Sequence, residues 1–385
     1  MWINRSIEAE LLVLASQYPV VMITGPRQAG KTSLARRTFP GKPYYSLENP
    51  DVREQIVLDP RAFFSANQNG AIIDEFQRYP LILSYIQGIV DEKNQKGQFI
   101  LTGSNNISML SSVTQSLAGR VALLKLLPFT ISEINSFRTD YSTDDYLLNG
   151  FYPRVYAEGL NPLTAYRNYY ETYVERDIRQ LLQIKDLIHF QKFIKLCAGR
   201  VGQLFNASNL STEVGVSSPT ISAWLSALQS SFIVFMVYPW SANINKRLVK
   251  TPKLYFYDVG LAAYLLGNEN VNHVATHPLR GSLFENMVVL ELLKNRFNAG
   301  LDNNLYFYRD NHGNEVDVVQ ESGNRLKLFE IKSSQTFTSQ FLKGLDYLQK
   351  LIPDRIEYSS LIYAGAQEMM IKGHKVMNYR NLNSC

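Results

Sequence analysis

Short apolar runs alternate with longer mixed segments over about the first 130 residues of the chain. The clearest runs are Val20–Thr24, Ala71–Asp74, Gln98–Thr102 and Val121–Leu126. They have the length of strands, and the segments between them have the length of helices. Because strands that are apolar throughout occur mainly in sheets covered on both faces, the pattern predicts a parallel sheet with crossover helices.

The pattern changes twice further along the chain. From about residue 140 to 250, apolar residues, tyrosines and charges are mixed in a helical texture, as in residues 165–188. After about residue 300, strand-like runs return at 305–310, 315–320 and 326–332, with turn residues between them. We therefore predict an α/β protein in three parts, with boundaries near residues 140 and 275.

The composition is that of an ordinary folded protein. Apolar residues make up 45% and charged residues 19% of the 385 residues, so each part can fill a core. The net charge of +5 permits nucleic acid as a partner without demanding it. The two cysteines, Cys197 and Cys385, exclude a disulfide scaffold and a Cys-rich zinc site, which fits a reducing compartment.

Neither a membrane span nor a secretory signal is expected. The longest apolar run, Phe232–Trp240, has nine residues, whereas a helix that crosses a bilayer needs about 20. The first ten residues contain no apolar stretch of the kind that secretory signals carry. We therefore expect a cytoplasmic protein with no membrane partner.

The strongest motif lies directly after the first predicted strand. Residues 25–32 match the phosphate-binding pattern G-x-x-x-x-G-K-[ST], and a helix-like segment follows. In this motif the loop N–H groups and the helix N-terminus surround the phosphates of ATP. Lys31 would reach the β- and γ-phosphates, and Thr32 would ligate Mg²⁺. The residues predicted to contact ATP are Gly25, Pro26, Arg27, Gln28, Ala29, Gly30, Lys31, Thr32 and Ser33.

An acidic pair, Asp74 and Glu75, closes the strand that begins at Ala71. Such pairs are common on protein surfaces, but after a phosphate-binding loop this pair has the position of a Walker B motif. Asp74 would hold the magnesium shell, and Glu75 would orient and deprotonate the attacking water. ATP and Mg²⁺ are therefore the predicted cofactors.

Further polar residues are candidates for contacting the γ-phosphate. Either Thr102 or Ser104, at the end of the third predicted strand, would sense it, and an ordinary strand-to-loop turn is the alternative. Arg120 lies between a helix end and the next strand. It would stabilise transition-state charge in a neighbouring subunit's site, which implies a homo-oligomer. A solvated arginine near a helix C-terminus is the alternative.

These motifs occur in an order that resembles a known family. The segments are GPRQAGKT, IIDEFQRYP, FILTGSNN, SLAGR, LPFTISEI, NGFYPRV, YVERDI, YFYDVGLAAYLLG, EVDVV and EIKSS. They cover nearly the whole chain and are similar to those of the prokaryotic AAA+-type ATPases with an appended C-terminal domain of unknown function. The resemblance implies an AAA+-like ATPase domain and, in the middle part, a winged helix.

The middle part carries a helix-turn-helix pattern at residues 203–238. Ser217 or Ser218 would cap the second helix, and Pro219 would lie in its first turn. The apolar positions Ile221, Trp224, Leu225 and Leu228 fall on one face of that helix. The helix carries no lysine or arginine, although phosphate neutralisation dominates affinity for DNA. DNA binding and a protein contact are therefore both open as roles.

The C-terminal part carries polar residues in the order found in restriction-endonuclease-like, or PD-(D/E)xK, folds. Glu285 lies on a predicted helix and Asp317 on a strand, and Glu330 and Lys332 share one face of the next strand. The three carboxylates would ligate Mg²⁺ or Mn²⁺, and Lys332 would orient the attacking water. The alternatives are surface charges on an unrelated sheet and a nuclease fold kept without cleavage.

Three domains follow from these patterns. We predict a P-loop parallel-sheet ATPase domain at 1–140, a helical and winged-helix block at 141–275, and an α/β restriction-endonuclease-like domain at 276–385. The predicted function is ATP binding and hydrolysis coupled to action on nucleic acid such as DNA. The alternative is a nucleotide-dependent signalling or oligomerisation switch whose C-terminal domain is a catalytically inactive binding module.

Overall fold

The computed structural model describes residues 2–93, 95–103, 113, 116–175, 186–241 and 251–384. The strands are β1 (Val20–Thr24), β2 (Tyr44–Ser46), β3 (Ala71–Asp74), β4 (Phe99–Thr102), β5 (Val121–Lys125), β6 (Val234–Pro239), β7 (Lys253–Phe256), β8 (Leu305–Arg309), β9 (Glu315–Ser322), β10 (Arg325–Lys332), β11 (Ile356–Tyr363), β12 (Met369–Ile371) and β13 (His374–Asn378). The helices are α1 (Glu8–Gln17), α2 (Lys31–Thr38), α3 (Pro50–Leu58), α4 (Pro60–Ala66), α5 (Ile82–Lys93), α6 (Ile131–Asn135), α7 (Thr143–Asn149), α8 (Pro153–Ala157), α9 (Pro162–Tyr169), α10 (Leu187–Ala198), α11 (Ala207–Val214), α12 (Ser218–Ser230), α13 (Val259–Leu265), α14 (Val271–Thr276), α15 (Arg280–Asn298) and α16 (Lys343–Leu351).

Five strands of the described N-terminal part form a parallel sheet in the order β2-β3-β4-β1-β5. Successive residues of β1 point to opposite faces. Val20 and Met22 pack with the cluster that includes α3, α4 and α5, whereas Val21 and Ile23 pack with α1 and α2. The predicted parallel sheet with crossover helices is therefore confirmed, and both of its faces are covered.

A second, mixed sheet has the order β12-β13-β11-β10-β9-β8-β6-β7 within the described residues. Its strand β6 belongs to the middle part of the chain and pairs in parallel with β8, where Tyr238 lies opposite Tyr306. The hairpin of β6 and β7 therefore extends the C-terminal sheet. Helix α15 packs on one face of this sheet and α16 on the other, so the predicted α/β fold class is confirmed.

Helices α11 and α12 lie within the segment that the sequence predicts to be a helix-turn-helix, and the winged helix stays a prediction. Ser217 is the residue that caps α12, since its side chain accepts a hydrogen bond from the N–H of Thr220. Ile221, Trp224 and Leu228 are buried, and the Trp224 ring lies 5.3 Å from that of Phe190 on α10. The apolar face of α12 is thus covered by α10, which leaves a neutral face exposed.

Membrane insertion by a helix finds no support in the described part of the chain, where every helix is too short or too polar to cross a bilayer.

Candidate functional site

The phosphate-binding loop joins β1 to α2 in a conformation that requires glycine at two positions. Gly25 has a φ of +145°, and a Cβ there would lie 2.0 Å from the carbonyl oxygen of Leu126. Gly30 caps α2 in the left-handed region, with a φ of +91°, which side chains rarely adopt. The loop is therefore pressed against the segment after β5, and its curvature depends on both glycines.

Lys31 begins α2 and is buried at 7% exposure. Its ammonium group donates to the carbonyl oxygens of Gly25, at 3.0 Å, and of Pro26, at 2.8 Å. Burial lowers the pKa of Lys31 to about 8, and the carboxylates of Glu75 and Asp74 oppose this shift. The ammonium group donates to neutral carbonyl oxygens of the loop. Phosphate oxygens that enter the loop would take over these hydrogen bonds as charged, and therefore stronger, acceptors.

Asp74 lies at the end of β3, where three hydroxyl groups converge on its carboxylate. Thr32 donates to Oδ1 at 3.0 Å, Tyr44 donates to Oδ2 at 2.8 Å, and Thr102 on the neighbouring strand β4 also donates to Oδ1. A threonine hydroxyl beside a carboxylate is an oxygen donor set that suits Mg²⁺. The residues predicted to hold the metal, Thr32 and Asp74, are thus adjacent, although 42 positions separate them.

Of the alternatives for sensing the γ-phosphate, the structure brings Thr102 to the site, and Ser104 lies outside the described residues. Tyr44 was missed by the sequence reasoning because β2 is short and only half-buried. Burial and the hydrogen bond to Asp74 raise the pKa of Tyr44 to about 12. Tyr44 therefore stays a neutral donor that orients the Asp74 carboxylate.

Glu75 follows Asp74 and turns the backbone into the left-handed region, with a φ of +53°. A residue other than glycine in this region is strained, and such strain clusters at functional sites. Burial raises the pKa of Glu75, while the Lys31 ammonium opposes that shift. Gln77 donates a hydrogen bond to its carboxylate. The strained turn directs Glu75 into the same cavity as Lys31.

This cavity has a volume of about 550 Å³ and extends beyond the phosphate-binding loop and the acidic pair. From the loop it is lined by Arg27, Gln28, Gly30, Lys31, Thr32 and Ser33. From other parts of the chain it is lined by Trp2, Ile3, Arg5, Glu48, Glu75, Phe129, Pro153, Arg154, Ala157, Glu158, Thr172 and Tyr173. A nucleotide bound here would therefore contact both the first and the middle part of the chain.

Arg154 is a functional candidate that the sequence reasoning missed. It lies on α8, lines the same cavity as Lys31 and pairs with Glu158, with both nitrogen–oxygen distances at 2.9 Å. The segment NGFYPRV contains it, so the signal was present as an arginine just after a helix-starting proline. Arg27 likewise contacts the middle part, with its guanidinium 5.0 Å from the ring centre of Tyr173.

Arg120 lies away from this cavity. Its guanidinium makes a two-pronged contact with Asp91 at the end of α5, with one nitrogen–oxygen distance of 2.9 Å. The side chain is 33% exposed. Arg120 is thus on the surface of its own subunit, where only a second subunit would bring it to a nucleotide.

The predicted C-terminal residues lie close together, and lysine ammonium groups bond to their carboxylates. Lys332 donates to Glu330 at 2.6 Å and to Asp317 at 3.3 Å. Glu285 accepts from Tyr255 at 2.6 Å and from Lys253 at 3.2 Å. Over the part of the chain that the structure describes, no three His, Cys, Asp or Glu side chains are placed to hold a metal ion. The metal site predicted at Glu285, Asp317 and Glu330 stays a prediction, and in the structure these acids form a cluster that is bonded by Lys253 and Lys332.

The electrostatics explain this arrangement. Burial, with added repulsion from Asp317, raises the pKa of Glu330 to about 8 and also raises the pKa of Glu285. Burial alone would lower the pKa of Lys253, but Glu285, Asp317 and Glu315 together raise it. Lys253 lies on β7 and was not predicted. Its ammonium group pairs with Glu285 at 3.2 Å and with Glu315 at 2.6 Å, which places a positive charge beside the acids.

Models of three protein families match the chain in succession. An AAA domain matches residues 17–135, a domain of unknown function (DUF8612) matches residues 140–272, and a second domain of unknown function (DUF4143) matches residues 280–382. The phosphate-binding loop, Asp74 and Glu75 all lie within the first match. The predicted AAA+-type ATPase domain is therefore confirmed, and the restriction-endonuclease-like fold stays a prediction.

A relative from Mycobacterium tuberculosis, the uncharacterized protein Rv2008c, is 32% identical over 338 residues, which are 86% of this chain and 74% of the relative. The chain belongs to the same family. A Mycobacterium bovis member of this AAA-domain family has the same identity and coverage. An uncharacterized protein of Haemophilus influenzae is 24% identical over 271 residues, 66% of this chain and 64% of that one.

The chain is also similar, at lower sequence identity, to several solved structures. A Walker-type ATPase of Pyrococcus abyssi is 14% identical, with a TM-score of 0.46, over 69% of this chain and 96% of that one. AMPPCP-bound DnaA from Aquifex aeolicus is 16% identical, with a TM-score of 0.32, over 58% of this chain and 85% of that one.

Proposed function

We propose that this AAA-domain protein binds and hydrolyses ATP with Mg²⁺ as cofactor. The observation that carries the proposal is that Lys31, Thr32 and Glu75 line one cavity, and that Thr32 is hydrogen-bonded to Asp74 at the end of β3. In this arrangement Lys31 binds the β- and γ-phosphates, and Thr32 and Asp74 hold the metal. Bound Mg²⁺ neutralises charge on the phosphates. Glu75 takes the proton of the attacking water, and Thr102 orients Asp74 from the neighbouring strand.

Phosphate release from ATP by the full chain is the direct test of this function. We expect steady turnover with Mg²⁺ and none above background when EDTA removes it, because the metal neutralises the charge that would repel the nucleophile. Titration with a fluorescent ATP analogue measures binding separately. A wild-type protein that fails to bind the analogue would contradict the proposal at its first step.

The proposal includes a homo-oligomer in which Arg120 of one subunit acts at the nucleotide site of its neighbour. We expect Arg120→Ala protein and Lys31→Ala protein each to be inactive alone, and their mixture to recover part of the phosphate release. The reason is that a mixed interface pairs an intact phosphate loop from one subunit with an intact Arg120 from the other. The matched control is Arg138→Ala, which also breaks an exposed arginine–aspartate pair, with Asp140. Light scattering that shows a monomer in the presence of ATP would refute this component.

We further propose that the middle and C-terminal parts bind nucleic acid such as DNA without cutting it. Helices α11 and α12 and the hairpin of β6 and β7 are the elements that a winged helix would use. The strand β7 also places Lys253 in the acid cluster, where two lysines bond to the carboxylates that cleavage would need for a metal. This observation favours the alternative in which ATP binding switches a binding module.

A metal titration distinguishes this module from a nuclease. We expect Mn²⁺ to leave the melting temperature of the wild-type protein unchanged. Lys253→Met should lower the stability by about 3 kcal/mol, because removing one partner leaves buried charges uncompensated. Mn²⁺ should then stabilise the variant, since its carboxylates lack a cation. Differential scanning fluorimetry measures both effects.

The control for that titration is the double variant Lys253→Met/Asp317→Ala, which should lose the response to Mn²⁺. If Mn²⁺ stabilised the wild-type protein and Asp317→Ala abolished that effect, the carboxylates would bind a metal ion, and the proposal that lysines take its place would be wrong. Incubation of single- and double-stranded DNA and RNA with Mn²⁺, with and without ATP, would then show whether the domain cleaves.

A further inference from the structure

The N-terminal segment before α1 places one buried arginine, Arg5, against the phosphate-binding loop, where it also forms part of the cavity wall. The Arg5 side chain is only 4% exposed. Its two terminal nitrogens donate to the carbonyl oxygen of Ala29 at 2.9 Å and to that of Leu127 at 2.6 Å. Its third nitrogen donates to Glu133 at 3.3 Å, and its guanidinium lies 4.9 Å from the ring centre of Phe129. One guanidinium therefore joins the loop to the segment that follows β5.

The contact with Ala29 bears directly on phosphate binding. In a trans peptide the C=O of one residue and the N–H of the next point in opposite directions. The donor from Arg5 holds the Ala29 carbonyl, and so it also fixes the N–H of Gly30, which points to the opposite side of the same peptide. Loop N–H groups that turn inward form an anion-binding nest. Gly30 lines the nucleotide cavity.

The segment after β5 contacts the phosphate-binding loop and Arg5, and it also contacts helix α15. On the side of the loop, it touches Gly25 through the Leu126 carbonyl and Arg5 through the Leu127 carbonyl. On the other side, the N–H of Ile131 donates to Glu291 of α15 at 2.8 Å. The ammonium of Lys294, also on α15, donates to the carbonyl of Phe129 at 2.6 Å.

Glu133 completes the connection between the two sides. One carboxylate oxygen accepts hydrogen bonds from Arg5 and, at 2.6 Å, from the N–H of Ser6, and the other accepts from the N–H of Thr130 at 2.8 Å. Glu291 and Lys294 bind each other at 2.7 Å, and both are at most 3% exposed. Buried charges are costly unless they are paired in this way. Hydrogen bonds therefore connect α15 to the segment after β5, and that segment to the loop through Arg5.

We propose that Arg5 is a positioning residue for the phosphate-binding loop, and that Glu291 and Lys294 tie its position to the C-terminal helix α15. The inference rests on the ATP binding proposed above. It assigns the first residues of the chain a role in setting the affinity for ATP. It also gives the C-terminal part a mechanical route to the nucleotide site, because α15 carries Glu285 of the acid cluster on the same rigid helix.

Arg5→Lys is the decisive variant, because it keeps the charge beside Glu133 but cannot bridge both carbonyls as the guanidinium fork does. We expect the dissociation constant for the fluorescent ATP analogue and the KM for ATP each to rise about tenfold, as for the loss of a charge-assisted hydrogen bond. The kcat should stay within about twofold, because Asp74 and Glu75 are untouched. Arg138→Lys, at an exposed pair, is the matched control and should change neither constant.

A second variant guards against misfolding. Arg5→Met/Glu133→Gln removes both buried charges together, so that neither is left uncompensated, and thermal melting reports its folding. We expect it to bind the analogue at least as weakly as Arg5→Lys. A folded Arg5→Lys protein with wild-type affinity would overturn the role of Arg5. Failure of the wild-type protein to bind at all would instead overturn the proposed function.

The connection to α15 has its own test. Glu291→Gln/Lys294→Met removes the buried pair without leaving a lone charge, and we expect it to weaken binding of the analogue about threefold, less than Arg5→Lys because the loop contact itself remains. When this double substitution is combined with Arg5→Lys, the further loss of affinity should be smaller than the loss that the double substitution causes alone. The reason is that both changes act through the segment after β5. Unchanged affinity in the folded variant would overturn the connection.

Discussion

Lys31→Ala protein is expected to lose ATP binding. The ammonium group donates to two loop carbonyls in the structure, and phosphate oxygens would take over those hydrogen bonds as charged acceptors. Loss of charge-assisted bonds of this kind amounts to about 3 kcal/mol or more, which weakens binding by at least roughly 100-fold. Equilibrium titration with the fluorescent ATP analogue measures it.

The matched control is Lys42→Ala. Lys42 also donates to two backbone carbonyls, those of Asn69 and Gln98, both at 3.1 Å, but it lies outside the nucleotide cavity. We expect its loss to leave the affinity for ATP unchanged. Tight binding by a folded Lys31→Ala protein would contradict the assignment of the phosphate-binding loop.

Glu75→Gln protein should keep ATP binding and lose turnover. Glutamine has the size and polarity of glutamate and can occupy the same strained turn, but it cannot take a proton from water. General-base catalysis contributes about 100- to 10,000-fold, so we expect phosphate release to fall about 1,000-fold. Single-turnover phosphate release measures this fall, and titration with the analogue shows that binding is kept.

Glu48→Gln is the control for that result, because Glu48 lines the same cavity. Its carboxylate faces Arg78 at 3.6 Å and is 66% exposed, which leaves it solvated and outside the contacts that surround Lys31. We expect it to hydrolyse ATP at close to the wild-type rate. Normal turnover by Glu75→Gln would show that another group activates the water, and would remove Glu75 from the catalytic set.

The sequence predicted the nucleotide site more completely than the C-terminal acid cluster. The nucleotide site is built on local motifs, and Lys31, Thr32, Asp74 and Glu75 lie where their motifs predicted. The C-terminal cluster also brings its predicted members together, and Lys332 bonds Glu330 on the same strand face. Lys253 joins this cluster from β7, a strand that the sequence assigned to another part of the chain, so its contact with Glu285 was not predicted.

Some contacts had no sequence signal. Tyr44 and Arg5 are ordinary residues of a short strand and of an N-terminal segment, and nothing in their neighbourhood marks them as partners of Asp74 or Ala29. Arg154 lies in a recognised segment, yet the sequence does not show that this segment faces the phosphate loop.

The sequence by itself determined the parallel sheet, the phosphate-binding loop, the acidic pair at the end of β3 and the capped helix α12. Each depends on apolar periodicity or on residues that are neighbours in the chain, and such local preferences act whatever surrounds them. Only the tertiary structure decided which buried charges meet. Arg5 finds Glu133 across 128 positions, and Lys253 finds Glu285 across 32. A buried charge must be paired wherever packing places it, and packing between distant elements determines the partner.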